Sequence, residues 1–175
     1  MGDVAMTVPV LFAFAESNPK VKLTILTKKQ FAPLFRDVKT AIVILADFND
    51  LHKGVLGLYK LSRRIRNLNI DAVADLHNVL RTNILKYFLF GIKFNQINKG
   101  RSQKRELTEG INFSPLRSTP ERYADVFRSL GFRYELNTPS LRAPKKLSNS
   151  TLNTLGRFSS AVIGVAPFAA YASKT

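Results

Sequence analysis

The sequence predicts an α/β fold with a Rossmann-like, mostly parallel sheet and helices on its faces. Short strand-like segments alternate with amphipathic helical segments, which is typical of βαβ units. Hydrophobic residues make up 45% of the 175 residues, so the chain can bury one sizeable core. The segment AIVILA at 41–46 is continuously apolar, as a strand covered on both faces requires.

The first half of the chain alternates helix and strand. Apolar residues at helical spacing predict a first helix that Asp3 can cap and that Asn18-Pro19 ends. The segment VKLTILT at 21–27 predicts a strand, residues 28–35 a short helix, and residues 41–46 the buried strand. Residues 53–68 form the clearest amphipathic helix.

The second half continues this alternation. Residues 72–76 predict a strand and residues 93–97 another, with a helix over 79–90 between them. That helix offers Leu80, Ile84, Tyr87 and Phe88 to the core. A basic loop is expected at 99–105, and a helix over 119–130 that Gly131 ends.

The composition changes after residue 136. Residues 137–160 are rich in Ser, Thr, Asn and Pro, as an interdomain linker would be, with a short helical turn near Leu152. The apolar segment AVIGVA at 161–166 then predicts a strand that begins a new structural unit. We therefore expect a Rossmann-like domain over 1–136, a linker over 137–160 and the start of a second domain over 161–175.

The charge balance points to an anionic partner. The chain has 27 Lys and Arg against 12 Asp and Glu, a net charge of +15, which attracts nucleic acid, anionic lipid headgroups and phosphorylated sugars alike. The absence of cysteine excludes a disulfide scaffold and a cysteine nucleophile, and two distant histidines argue against a histidine metal site. The N-terminus lacks the basic segment of a signal peptide, and no apolar run is long enough to span a bilayer. These features predict a cytoplasmic protein that can contact a membrane peripherally.

Several polar residues follow strands, present or inferred, and should gather at one rim of the sheet. These are Asp3, His77 and the segment Lys99-Gly100-Arg101. Asp3 could remove a proton from an attacking hydroxyl or could simply cap a helix. His77 could bind a substrate oxygen, or it could be a satisfied strand-end residue.

Cationic side chains near the same strands have the same two interpretations. Arg81 could pair with a carboxylate or phosphate, and the segment 99–105 could clamp an anion, or both could be solvated surface. Arg122, at the start of the following helix, could add a charge to this rim. Lys174 lies in a loop after the last strand and could contact phosphates.

Taken in order, these motifs resemble the ADP-heptose:lipopolysaccharide heptosyltransferase family, glycosyltransferase family nine. The stretches that carry the resemblance are MGDVAMTVPVL at 1–11, IDAVADLH at 70–77, NKGR at 98–101, ERYADVF at 121–127 and IGVAPFA at 163–169. No single stretch is specific, but the ordered set covers nearly the whole chain.

The resemblance implies two Rossmann-like domains in the GT-B architecture. The N-terminal domain would hold the sugar acid of the lipopolysaccharide inner core, and the C-terminal domain would hold the donor, ADP-heptose. The reaction would invert the anomeric carbon in one displacement, with no metal and no further cofactor. The cytoplasmic face of the inner membrane is the location that this acceptor implies.

The resemblance also implies roles for single residues. Asp3 corresponds to the family's general base, Arg122 to its acceptor-side arginine and Lys174 to its donor-phosphate lysine. Arg81 and Arg101 fall at the acceptor rim, beside His77 and Lys99.

The chain departs from the family pattern at both ends. Family members begin with an apolar strand and a short turn before Gly-Asp, whereas Met1 stands there in this chain, and most of the donor domain has no counterpart. We therefore expect a sheet without its first strand and a fragment that is inactive alone.

Two other interpretations remain open. One is a basic nucleic-acid-binding module, although the segment 99–105 has no interleaved aromatic residue and the chain has no recognised nucleic-acid-binding motif. The other is an inert truncation that aggregates.

Overall fold

The computed structural model describes residues 2–38, 40–133, 135–136 and 148–155. The chain divides into two compact units, Met1–Leu141 and Arg142–Thr175. Only one element is described in the second unit, the short helix Asn149–Leu155, where the sequence predicts a helical turn inside a linker. The predicted strand over 161–166 and Lys174 lie outside the described residues, and the predicted domain limits stay a prediction.

The first unit is an alternation of strands and helices. In chain order its elements are helix α1 (Gly2–Ser17), strand β1 (Leu23–Thr27), a 3-10 helix (Lys29–Phe35), strand β2 (Ala41–Leu45), helix α2 (Gly54–Arg66), strand β3 (Ala72–Asp75), helix α3 (Leu80–Phe88), strand β4 (Lys93–Gln96), helix α4 (Arg101–Thr108) and helix α5 (Thr119–Ser129). No described helix has both the length and the apolar character needed to cross a membrane.

The strands pair in parallel, which confirms the predicted fold class. Strand β1 pairs with β2, Leu23 lying opposite Ala41, and β3 pairs with β4, Ala72 lying opposite Lys93. The two pairs are not joined by ladder hydrogen bonds, so the described strands form two short sheets. Parallel pairing between strands separated by helices is the βαβ arrangement that the sequence alternation predicts.

Both strand pairs pack against the same two hydrophobic layers. One layer, built on α1 and α5, receives Leu23 and Ile25 of β1 and Ala74 of β3. The other, built on α2 and α3, receives Leu26 of β1 and Val73 of β3. Residues of opposite parity thus face opposite layers in both pairs, as the period-two geometry of a strand requires.

Helix α5, in the same layer as α1, runs from the carboxyl ends of the strands towards their amino ends. Its start is capped by Ser118, whose side chain accepts from the backbone of Glu121, and Gly131 ends it with a φ of +102°. Lys93, at the start of β4, donates from Nζ to the carbonyl of Leu130 just after α5, at 2.8 Å. Because the end of α5 lies at the start of β4, the start of α5 lies at the carboxyl ends of the strands.

Three expectations about coverage and local structure are wrong. Strand β2 is not covered on both faces, because Ile42 is 63% exposed, as expected for an outer strand. On α3, Leu80 and Tyr87 point to solvent instead of the core. The predicted basic loop at 99–105 is mostly helical, since α4 begins at Arg101 after a glycine in the left-handed conformation.

Helix α2 offers a test of the packing. Leu58 is buried between α2 and α3, whereas Leu56, two residues earlier, is 78% exposed. We expect Leu58→Ala to lower the free energy of unfolding by about 2–5 kcal/mol, because it leaves a cavity. Leu56→Ala should change it by no more than about 0.5 kcal/mol. Urea denaturation of both variants measures the difference, and equal losses would contradict this assignment of the helix faces.

Candidate functional site

The turn after β3 is held by a buried carboxylate. Asp75 accepts from the backbone N–H groups of His77 and Asn78, both at 2.9 Å, and from the side-chain amide of Gln96 at 3.0 Å. Asn78 adopts a φ of +46° and donates from its side chain to the carbonyl of Ile97. These hydrogen bonds hold the turn after β3 and tie the end of β3 to the end of β4, which gives the Asp75 carboxylate a structural role.

An open cleft of about 850 Å³ lies at this edge of the sheet, between the starts of α3 and α4. It is lined by Asn78, Val79, Leu80, Asn83, Gln96, Ile97, Asn98, Lys99, Arg101 and Ser102. Lys99 and Arg101 supply positive charge, and the starts of two helices add positive dipole ends. The lining therefore suits an anionic, hydrogen-bonding ligand.

Arg122 is buried next to the cleft and holds the segments around it by hydrogen bonds. It is 8% exposed, and its guanidinium donates from Nε to the carbonyl of Arg117 at 3.0 Å, from Nη1 to the carbonyl of Asn98 at 3.3 Å and from Nη2 to Gln103 Oε1 at 2.9 Å. Two of these acceptors lie directly before and shortly after the Lys99–Arg101 segment, and the third lies at the entrance to α5. Arg122 is thus a positioning residue for the basic segment in this structure.

Gly100 is required by the same arrangement. Its φ is +59°, its N–H donates to Asn98 Oδ1 at 2.9 Å, and a Cβ there would overlap the guanidinium of Arg122. A glycine satisfies both conditions, because it tolerates positive φ and allows close approach. The segment that turns β4 into α4 is therefore shaped by a glycine packed on an arginine.

Arg117, which accepts from Arg122, belongs to an ion-pair network on α5. Arg117 and Arg128 both contact Glu121 and Asp125, at distances between 2.7 and 3.1 Å. The hydrogen bond from Arg128 is the main cause that lowers the pKa of Glu121 below its usual value. The network keeps Glu121 ionised and holds the segment that enters α5.

Asp3 lies at the same end of the domain. It sits in the exposed first turn of α1, and its backbone carbonyl accepts from the hydroxyl of Tyr123, next to Arg122, at 3.3 Å. Burial, and to a lesser degree the nearby Asp3 carboxylate, raise the pKa of Tyr123. Within the described part of the chain, no group donates to the Asp3 carboxylate, so it is available to a ligand.

His77 and Arg81 flank the cleft and do not line it. Both side chains are exposed, and His77 precedes Asn78, while Arg81 follows Leu80. The guanidinium of Arg81 lies 4.7 Å from the ring centre of Phe48, in the loop after β2. This cation–π contact turns Arg81 toward that loop.

The predicted site residues that the structure describes thus fall at the carboxyl-end edge of the strands, with different surroundings. Lys99 and Arg101 line the cleft, and His77 and Arg81 flank it. Arg122 holds the segment that carries Lys99 and Arg101, and Asp3 contacts Tyr123, the residue after Arg122. Their roles in binding stay predictions. No group of three or more potential metal ligands occurs among the residues that the structure describes.

Sequence reasoning missed the groups that hold these residues in place. Asn98 and Gln103 accept from Arg122, Tyr123 contacts Asp3, and Phe48 stacks under Arg81. Only Asn98 had a local signal, because an asparagine two residues before a glycine is typical of a side-chain-stabilised turn.

The fold and the site define a Rossmann-like domain with a basic cleft at the carboxyl ends of its parallel strands. Among solved structures, the chain is similar to the glycosyl transferase family 9 protein from Veillonella parvula DSM 2008, with 19% identity and a TM-score of 0.57. The match covers 81% of this chain and 41% of that chain. No protein-family model and no curated protein matches the sequence. At this identity the likeness shows the fold alone, and the chain spans about two fifths of its structural neighbour.

Gly100 and Gly110 provide a matched pair to test the support beneath the cleft. Both have positive φ, but a Cβ at Gly110 would meet only an ordinary contact, 3.8 Å from Phe113. Either change to alanine should cost about 1–2 kcal/mol for the left-handed backbone. Gly100→Ala should cost about 1.5–3 kcal/mol more, because it displaces the hydrogen-bonded guanidinium.

Denaturation measures the two losses, and proteolysis near residue 100 reports whether the segment loosens. If both variants lose the same stability and resist protease equally, the contact between Gly100 and Arg122 does not shape the segment.

Proposed function

We propose that this chain is the acceptor-binding part of an inverting, metal-independent glycosyltransferase. The transferred sugar would be a heptose from ADP-heptose, and the acceptor would be the lipopolysaccharide inner core at the cytoplasmic face of the inner membrane. The observation that carries the proposal is an exposed carboxylate, Asp3, at the same sheet edge as a basic cleft. The fold likeness and the ordered motifs support the same class of enzyme.

The cleft suits an acceptor that carries a carboxylate and phosphates. Lys99 and Arg101 line it, and no Asp or Glu lies between Leu76 and Arg105. Charge-assisted hydrogen bonds from Arg and Lys are the strong ones for such groups. In the proposed complex, Lys99 and Arg101 contact the sugar acid, His77 and Arg81 contact groups at the rim, and Arg122 keeps the basic segment in place.

The proposed chemistry needs one base on the acceptor side. In an inverting displacement, the acceptor hydroxyl attacks the anomeric carbon, the bond from that carbon to the ADP oxygen breaks, and the hydroxyl proton passes to the base. One carboxylate suffices for this step. The ADP leaving group carries negative charge, which a lysine such as Lys174 and a helix N-terminus would stabilise in the donor domain.

Acceptor binding tests the cleft. We expect the chain to bind lipid A that carries the inner-core sugar acid, and the double variant Lys99→Ala, Arg101→Ala to bind it at least tenfold more weakly, because two charge-assisted contacts are lost. Titration calorimetry in detergent measures this affinity. The control Lys20→Ala, Lys22→Ala removes the same charge from an exposed site before β1, at the opposite end of this strand from the proposed acceptor edge. Equal losses in both variants would mean that net charge alone attracts the acceptor.

Activity tests Asp3. In a transferase assembled from this chain and a donor-binding domain, Asp3→Asn should lower the turnover number by about 10²–10⁴, because the base is lost, and leave acceptor affinity unchanged. The control is Asp71→Asn, an exposed aspartate at the opposite end of β3. Full turnover in Asp3→Asn would rule out this carboxylate as the base.

A nucleic-acid-binding module is the alternative, and it rests on the net charge of +15. It predicts affinity for duplex or single strands that exceeds affinity for the glycolipid and falls steeply with salt. The same titrations with oligonucleotides therefore separate the two functions.

A further inference from the structure

Two neighbouring helices expose apolar and aromatic side chains. On α2, Leu56 is 78% exposed and Tyr59 46% exposed. On α3, Tyr87 is 79% exposed, and Phe90, two residues past the end of the helix, is 87% exposed. Single exposed apolar residues are normal, so these residues carry meaning only if they form one surface.

Contacts between α2 and α3 join them into one surface. The rings of Tyr59 and Tyr87 lie 5.5 and 5.9 Å from the ring of Phe88. Arg66, at the end of α2, donates to the carbonyl of Phe88 at 2.9 and 3.2 Å and to the carbonyl of Phe90 at 2.7 Å. The end of α3 is thereby fixed against α2, with its aromatic side chains facing outward.

Cations on the same helix face have no compensating acid. Lys60 follows Leu56 by four residues and Arg63 follows Tyr59 by four residues, which places these side chains on one face of α2. We name the set the α2–α3 surface, and its members are Leu56, Tyr59, Lys60, Arg63, Tyr87 and Phe90. No Asp or Glu occurs between Leu51 and Ile70 or between Leu76 and Arg105.

Helix α5 provides the contrast, because its arginines pair with Glu121 and Asp125. Lys60 and Arg63 take part in no ion pair with any described residue. The α2–α3 surface therefore combines exposed apolar groups with uncompensated positive charge.

We propose that the α2–α3 surface docks on an anionic lipid bilayer. Tyr87 and Phe90 enter the headgroup region, where aromatic side chains are favoured, and Lys60 and Arg63 contact lipid phosphates. A second copy of this chain is a poor occupant, because a two-fold interface would bring together two copies of the same positively charged surface, which repel each other. Charge complementarity and the apolar groups together favour the bilayer.

The surface continues into the cleft. Leu80 and Asn83 line the cleft, and they lie seven and four residues before Tyr87 on the same exposed stripe of α3. A bilayer on this surface would bring headgroup-level sugars to the cleft. The docking itself rests on the two helices and does not depend on the proposed transfer reaction.

Tryptophan fluorescence tests the contact, because the chain contains no tryptophan. Phe90→Trp places a single reporter on the surface, and Phe113→Trp places one at a control site that is 79% exposed between α4 and α5. With vesicles of phosphatidylcholine and phosphatidylglycerol, we expect the Phe90→Trp emission to shift to the blue and to be quenched by brominated acyl chains. The Phe113→Trp emission should stay unchanged. An unchanged Phe90→Trp emission, or equal shifts at both sites, would overturn the proposal.

Charge and apolar variants then measure the contributions by vesicle sedimentation. Lys60→Glu, Arg63→Glu should weaken binding by about fivefold or more per cation, because each basic residue adds to the attraction of an anionic surface. Lys28→Glu, Lys29→Glu, with the same net charge, should bind as the parent does. Tyr87→Ser, Phe90→Ser should weaken binding by about tenfold, while Ile111→Ser, Phe113→Ser should not.

Two outcomes separate this proposal from others. If the surface variants lose affinity for oligonucleotides and keep affinity for vesicles, the surface binds nucleic acid and the bilayer proposal is wrong. The vesicles contain no lipopolysaccharide, so a failure to bind them leaves the transferase proposal intact.

Discussion

The geometry of the cleft depends on one buried guanidinium. Arg122 connects the residue that leads into α5, the end of β4 and the first turn of α4, which are distant in sequence. Removing this side chain would take away the donors to the carbonyl oxygens of Arg117 and Asn98 and to the side chain of Gln103, so all three segments would lose the group that joins them. The basic segment is therefore preorganised before any anion arrives.

The order of elements could be predicted from the sequence because it follows from local periodicity. The apolar spacing of α2 and the β-branched run of β1 specify helix and strand without tertiary information. The burial of individual side chains could not be predicted so well. Ile42 and Tyr87 look like core residues locally, but their exposure depends on which neighbours lie beside the outer strand and beyond the end of α3.

The candidate site could likewise be predicted in part, where it follows from strand order, and not where it depends on contacts between distant segments. The topological rule that carboxyl ends of parallel strands share an edge predicts that Lys99 and His77 lie near each other. No local pattern shows that Arg122 is turned inward, because its acceptors come from three separate segments. The predicted loop at 99–105 also failed for a local reason: a left-handed glycine allows α4 to begin at once, with charged residues forming its exposed faces.

The two parallel strand pairs pack against the same hydrophobic layers, but no ladder hydrogen bonds join one pair to the other. This affects how firmly the pairs are held together. Strands β1 and β3 each keep a free edge whose backbone donors and acceptors no other described strand satisfies. Among the described residues, no ladder hydrogen bond holds one strand pair in register with the other, and side-chain packing resists sliding less specifically than such a ladder does. An extended segment from any source could pair with such an edge, so keeping these edges covered would govern how readily the chain self-associates.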